Sequence, residues 1–292
     1  MCPVDAGRVG AVPTLRYVVV DVFTDAALAG NQLAVFTDAR GIDTDLMQAL
    51  ALEIGFSEST FVLPPEEGGT ARARIFTPVS ELPLAGHPVL GTAWVLAQPL
   101  QRGVVELETG MGTIPVELDR DESGAIVFGR MTQPVPTIEE YPERDALLQA
   151  LGVGESVLPV ERYYNGVPHT FVALETPEAV ASLRPDFQAL ADLEVKANCF
   201  AAVDGARWKT RMFAPSAGVS EDPATGSAAG PLACHLCRHG LAPWGEWIEI
   251  SQGVEIGRPS TLFARADGGD GEIVRVFCGG RAVVVARGEF RL

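Results

Sequence analysis

Short runs rich in β-branched and aromatic residues, several alternating apolar with polar, recur along the chain between glycine and proline turns. In the first half they predict strands over residues 16–23, 32–37, 60–63, 71–76, 104–107, 113–118 and 125–128. In the second half they predict strands over 170–174, 199–203, 247–250, 261–264, 273–277 and 282–286. Helical spacing is rarer. Asp43 or Thr44 can cap a helix running to about Leu52, and another is expected near residues 144–151. Many short strands with few helices give an α+β reading. The Pro- and Glu-rich segment 133–143 is the best boundary candidate. It separates an N-terminal domain over 16–132 from a C-terminal domain over 133–292, after a loose tail over 1–15; the last strand is free to pack back on the first domain.

An internal comparison sharpens this division. Residues 81–96 read ELPLAGHPVLGTAWVL and residues 221–236 read EDPATGSAAGPLACHL. At a constant offset of 140 residues they share Glu81/Glu221, Pro83/Pro223, Gly86/Gly226, Ala93/Ala233 and Leu96/Leu236. Phe76-x-Pro78 is echoed by Phe213-x-Pro215. An offset near half the chain length points to a duplicated domain, and two copies with matching loops imply one site in the cleft between them. Each copy has a glycine turn followed by a small, apolar helix. His87 falls near one N-cap, with Pro88 near the first helical position, and Ser227 falls at or near the other N-cap. Two such helix starts offer free N–H groups and positive dipole ends to a carboxylate.

Charge gives those helix starts a purpose. Acidic residues outnumber basic ones by 38 to 22, a formal net charge of -16. Without any Lys/Arg run this surface repels nucleic acid, and an anionic substrate needs a local positive potential. A chain with 47% hydrophobic and 21% charged residues can form substantial cores. No run of 18 apolar residues predicts a membrane span. The scattered Cys2, Cys199, Cys234, Cys237 and Cys278 do not form a disulfide framework, so the cytoplasm is the expected location.

Three side chains stand out as candidate acids and bases. His87, at a helix start, is expected to be loop-exposed and to point outward. Glu58 lies in GFSESTF between an amphipathic helix and an apolar strand; it reads either as a solvated loop carboxylate or as an acid/base. Asp222, before Pro223, reads either as a turn former or as a second functional carboxylate. A carboxylate held in a closed apolar cleft would have a raised pKa and could take and return a proton. Cys234, His235, Cys237 and His239 look zinc-like, yet they fall within one helix with no second Cys pair, so no metal is expected. No nucleotide motif occurs, and no organic cofactor is expected. Arg258 could contact an anion, although a turn role fits it better.

The segments GFSESTFVL, RIFTPVSELPLAGHPVLGTA, EDPATGSAAGPLA and QGVEIGRPS resemble the signature stretches of the phenazine-biosynthesis (PhzF-like) family. The likeness runs from about Tyr17 to the end of the chain and includes MGTIPVEL, RYYNGVPHTFVALE and RWKTRMFAP. It implies a diaminopimelate epimerase-like fold of two similar domains, each a barrel-like curled sheet around a central helix. It further implies a cofactor-free isomerase that moves a proton on a small carboxylated cyclic substrate, a dihydro-hydroxyanthranilate, working as a homodimer. Carried over by motif, Glu58 takes a proton from C3 of the ring and returns one elsewhere on the conjugated system. His87 and Asp222 contact the substrate and assist, while Gly86, Gly226 and Ser227 match substrate-contacting positions. The epimerases of this fold use one cysteine in each glycine-rich motif; this chain has none there, which disfavours thiol-based racemisation. Pro223 stands where the nearest phenazine enzymes are expected to have Ala. Activity on another carboxylated substrate, loss of catalysis in favour of ligand binding, and handover of product to other phenazine-pathway enzymes all remain open at this point.

Overall fold

The computed structural model describes residues 14–292. The tail expected over 1–15 lies outside the described residues up to residue 13, while Thr14 and Leu15 already belong to the first strand. That half begins with β1 (Thr14–Val22), β2 (Asn31–Phe36), α1 (Thr44–Ile54), β3 (Glu58–Leu63), β4 (Ala71–Phe76) and β5 (Glu81–Leu82). It continues through α2 (Gly86–Leu100), β6 (Val104–Thr109), β7 (Gly112–Arg120) and β8 (Ile126–Gln133). β9 (Thr137–Glu140) and α3 (Arg144–Leu151) lead to β10 (Glu161–Tyr164), β11 (Pro168–Ala173), α4 (Pro177–Ser182) and α5 (Phe187–Asp192). Then come β12 (Ala197–Asp204), β13 (Arg207–Ala214), β14 (Val219–Asp222) and α6 (Gly226–Arg238). β15 (Ile248–Gln252), β16 (Ser260–Gly269), β17 (Glu272–Gly280) and β18 (Ala282–Arg291) finish the order.

Strand pairing repeats itself. In the first half β1–β2, β3–β4, β6–β7 and β7–β8 are antiparallel, while β2–β3 and β4–β6 are parallel. The second half matches strand for strand: β10–β11, β12–β13, β15–β16 and β16–β17 antiparallel, β11–β12 and β13–β15 parallel. α2 follows β5 as α6 follows β14. The strand after each set is exchanged: β9 pairs with β10, and β18 pairs with β1 from Thr14↔Arg291 to Val22↔Ala282. β8 and β17 pair antiparallel and join the two sets.

The helices explain the curl. Every residue from Gly86 through Trp94, and from Gly226 through Cys237, is buried. A helix apolar on all sides must be enclosed. α2 accordingly packs on β1, β2, β6, β7 and β8, and α6 on β11, β16 and β17. Leu90 and Leu232, almost wholly buried in these helices, each contribute roughly 1.5–3 kcal/mol by leaving water. α1 is different, an amphipathic helix on the outside of the first sheet, over Phe36, Phe61 and Phe76. Asp43 caps it by accepting from the Leu46 amide at 2.9 Å, and Gly55 ends it with φ of 70°. That stop fixes where the next strand starts, and the strand starts with Glu58.

Strand positions largely follow the hydrophobic pattern, but β5, β9, β10, β13 and β14 fall outside the predicted runs. β9 lies inside the Pro- and Glu-rich segment expected to be a boundary. β13 interleaves Arg207, Lys209 and Arg211 with Trp208, Thr210 and Met212, and its cations hide a buried face.

Candidate active site

Glu58, His87 and Asp222 arrive from three separate elements and line one cleft between the two halves. Glu58 opens β3, opposite Leu33 of β2. His87 is the second residue of α2, and Asp222 is the last residue of β14. Leu84, Val167, Met212 and Val219 give the cleft apolar walls.

The two helix starts meet backbone to backbone. A Cβ on Gly86 would lie 2.4 Å from the Gly226 carbonyl carbon and the Ser227 nitrogen. One on Gly226 would lie 2.8 Å from the Phe23 ring and 3.0 Å from the His87 nitrogen. Glycine at both places lets two first turns share one cleft. Neither helix has a side-chain cap, in contrast to α1, α4 and α5. Their first N–H groups are thus left for an anion at the positive ends of two dipoles. Ser227 lies near the N-cap, two residues past Thr225, which holds that position, and the Ser227 hydroxyl meets His169 Nε2 at 2.9 Å. The Thr225 hydroxyl in turn donates to Asp222 Oδ2 at 2.7 Å.

His87 also departs from expectation. It is 3% exposed, because α2 starts inside the molecule rather than at a surface loop. Its Nε2 faces Glu58 Oε2 at 3.5 Å, and both atoms are buried without a hydrogen-bond partner. Behind them Asn31 donates through Nδ2 to Asp222 Oδ1 at 2.8 Å and to the Ala224 carbonyl at 2.9 Å. The same nitrogen is 3.2 Å from His87 Nδ1, and Asn31 Oδ1 accepts from the Ser57 hydroxyl at 2.8 Å. Gln252 braces the other side, donating to the Asp222 carbonyl at 2.8 Å and the Thr225 hydroxyl at 2.9 Å.

Burial dominates the electrostatics. It pushes Glu58 up to about 7 against the lowering influence of Ser57 and Lys196. Burial and the nearby Glu58 charge raise Asp222 to about 6. Burial lowers His87 to about 4 despite Asp222, so the imidazole is neutral near pH 7. The arrangement provides one carboxyl that can be acid or base near neutrality, beside a neutral ring with one donor and one acceptor nitrogen.

Sequence reasoning missed Asn31, His169, Lys196 and Gln252. Lys196 is the only Lys or Arg among the described residues lining the cleft. Its neighbourhood, EVKANCF at a strand start, reads like any surface lysine. Asn31 gives no signal either, since β2 opens on two polar residues, Asn31 and Gln32.

Arg258 does not meet an anion in the cleft. It donates to Asp21 Oδ1 and the Ala29 carbonyl at 2.7 Å and to the Gly30 carbonyl at 2.9 Å, fastening one half to the other. Cys234 and Cys237 are buried in α6, where burial pushes their thiols up to about 12 and about 11. His235 and His239 converge instead on Glu161 of β10, a partner their local spacing could not reveal. Glu161 Oε2 receives His235 Nδ1 at 3.0 Å, Arg238 Nη1 at 2.9 Å, Tyr163 Oη at 3.0 Å and His239 Nε2 at 3.2 Å. Arg238 supplies this second cluster with its positive charge.

Two curled strand sets of matching topology, joined by β8 and β17 and each around a buried helix that starts at the shared cleft, define the diaminopimelate epimerase-like class. Within that class, the family model described as phenazine biosynthesis-like protein matches residues 20–288, and the chain belongs to that family. A trans-2,3-dihydro-3-hydroxyanthranilate isomerase from Pseudomonas aeruginosa is 50% identical over 275 residues, covering 94% of this chain and 98% of that protein. The isomerase of the same name from Pseudomonas fluorescens is 49% identical over 278 residues, covering 95% of this chain and 99% of that one. Among solved structures, a predicted epimerase from Pseudomonas aeruginosa superposes with a TM-score of 0.81 at 33% identity, covering 94% of this chain and 99% of that one.

Proposed function

We propose that this chain is an isomerase that moves one proton within the ring of trans-2,3-dihydro-3-hydroxyanthranilate, with Glu58 as the acid/base. The observation that carries the mechanism is the unpartnered Glu58 Oε2 beside the equally unpartnered His87 Nε2 on the cleft wall. Half the sequence is shared with enzymes named for this substrate, over nearly the whole of both chains.

The substrate's own bonding sets the task. Its carboxylate is on C1, its amine on C2 and its hydroxyl on C3, and its ring double bonds are C4=C5 and C6=C1. Removing the C3 proton forms C3=C4 and spreads the electron pair along the ring toward C1 and its carboxylate. Reprotonation at C5 or C1 leaves an enol at C3, which becomes a ketone by ordinary tautomerisation. Donor and acceptor carbons belong to one π system, so a single carboxyl within reach of both completes the cycle without redox change. Glu58 takes the C3 proton, holds it as the neutral acid that burial favours, and returns it. His87 positions that proton through Nε2, and Asp222, fixed by Asn31 and Thr225, holds the amine end of the ring. The N–H groups at Gly86, Gly226 and Ser227 face the carboxylate. The reading includes a homodimer, as the family resemblance implies, and the cytoplasmic location expected from the scattered cysteines; light scattering on purified protein checks the assembly.

Purified protein mixed with trans-2,3-dihydro-3-hydroxyanthranilate should consume the conjugated absorbance of the substrate, and Glu58→Gln should not. Failure of well-folded wild type to consume it would move the reading to another small carboxylated substrate.

A further inference from the structure

The chain contains only two lysines, Lys196 and Lys209. Lys209 is spoken for, paired with Glu255 at 2.6 Å. Lys196 forms no ion pair among the described residues. It precedes β12 and lines the same cleft as Glu58, His87, Asp222 and the two glycine turns. Its backbone is tied down, because its carbonyl accepts from the Thr170 amide at 3.0 Å and from Asn198 Nδ2 at 3.1 Å. A half-buried ammonium on an anchored backbone, lining a cleft that holds two carboxyl side chains, is there at an electrostatic cost. Burial pulls its pKa down while Glu58 and Asp222 pull it up.

We propose that Lys196 is the cation that anchors the substrate's ring carboxylate, completing the seat begun by the two uncapped helix starts. This rests on the substrate class proposed above. In a protein of net charge -16, a third carboxylate entering beside Glu58 and Asp222 meets repulsion that the partial charges of two helix ends offset only in part. One full positive charge brings the loaded site closer to neutrality. The same charge acts in the chemical step. When C3 loses its proton, the electron pair moves toward C1 and into its carboxylate, so the negative charge beside Lys196 grows in the transition state. Lys196 therefore affects both substrate capture and turnover, and a carboxylated ring is preferred over the same ring without the acid group.

The test uses two aromatic probes that differ only in that group, 3-hydroxyanthranilate and 2-aminophenol, titrated calorimetrically into wild type, Lys196→Met and Lys196→Arg. Wild type should prefer the acid. Lys196→Met should lose roughly ten- to hundredfold of that preference, with 2-aminophenol binding unchanged, as expected for one charged hydrogen bond. Lys196→Arg should recover part of it. In turnover, Lys196→Met should raise KM and lower kcat together. An unchanged preference for the acid in a folded Lys196→Met protein would overturn the assignment, whatever happens to turnover. Wild type that prefers the acid probe yet does not convert the dihydro substrate would refute the proposed reaction, while the probe pair would still decide the role of Lys196.

Discussion

Glu58 and Glu161 are both carboxylates largely withdrawn from water, each beside a histidine, and the fold treats them in opposite ways. Glu161 sits at the end of α6 where His235, Arg238, Tyr163 and His239 all reach one oxygen. Burial alone would raise its pKa, but these donors outweigh it and hold the carboxyl well below the usual range. Glu58 sits near the start of α2, where Oε2 has no donor, and burial wins. Partner supply separates the two: a fully bonded carboxylate is a fixed anion, whereas one left unbonded can exchange a proton near neutral pH.

The largest break in this comparison should come from Glu58→Gln, which keeps shape and removes the base. Turnover should fall by roughly 10²–10⁴-fold, and near-normal rates would exclude Glu58 as the acid/base. Next, Glu161→Gln should lower stability by on the order of 3 kcal/mol, because it leaves Arg238 without its counter-charge. Denaturant melts should show this with kcat of the folded protein intact; a loss of kcat without loss of stability would assign Glu161 to the chemistry instead. The Glu161 pKa is depressed in the fold, so its stabilisation is complete above about pH 4.5 and fades as pH falls toward the folded value.

Glu58→Gln should carry an opposite effect on stability, of similar size. The folded-state pKa of Glu58 is raised to about 7 from 4.5, so the ionised carboxylate costs stability. That cost is full above about pH 7 and vanishes below about pH 4.5. At pH 8 the Gln variant should be more stable than wild type by on the order of 3 kcal/mol, with the two curves meeting in acid. Equal stability at pH 8 would mean that Glu58 is solvated. Smallest is the shift expected from Lys196→Met in the pH profile of kcat/KM, which reports the free enzyme. Glu58 must be ionised to act, so kcat/KM rises with pH through about 7 in wild type. Removing the nearby ammonium should move that limb upward; a limb displaced downward would contradict the charge sign.

How much of this the sequence disclosed depends on range. Most of the strands, the cap at Asp43 and the duplicated glycine turns are local patterns and are legible, whereas β9, β10, β13 and β14, with their interspersed charged and polar residues, are not. The convergence of Glu58, His87 and Asp222 came from motif likeness, since nothing within GFSESTF tells a solvated glutamate from an enclosed one. Burial of His87 was misjudged because an all-apolar helix hides its own start. Glu161 could not be matched to His235 and His239, which lie on another element far along the chain. Asn31 and Lys196 acquire meaning only from contacts that no periodicity encodes.

The exchanged strands bear on how the molecule comes into being. β18 is the last of the described strands to leave the ribosome, yet its place is beside β1, among the first made. The first sheet therefore waits, its edge at β1 unprotected, until nearly all the rest of the chain has been synthesised. Exposed edges of this kind recruit other strands, so nascent protein stalled before residue 282 should aggregate or engage chaperones. A separately supplied peptide of β18 should rescue such a truncated chain. Each half is completed by a strand that follows the other half in the chain.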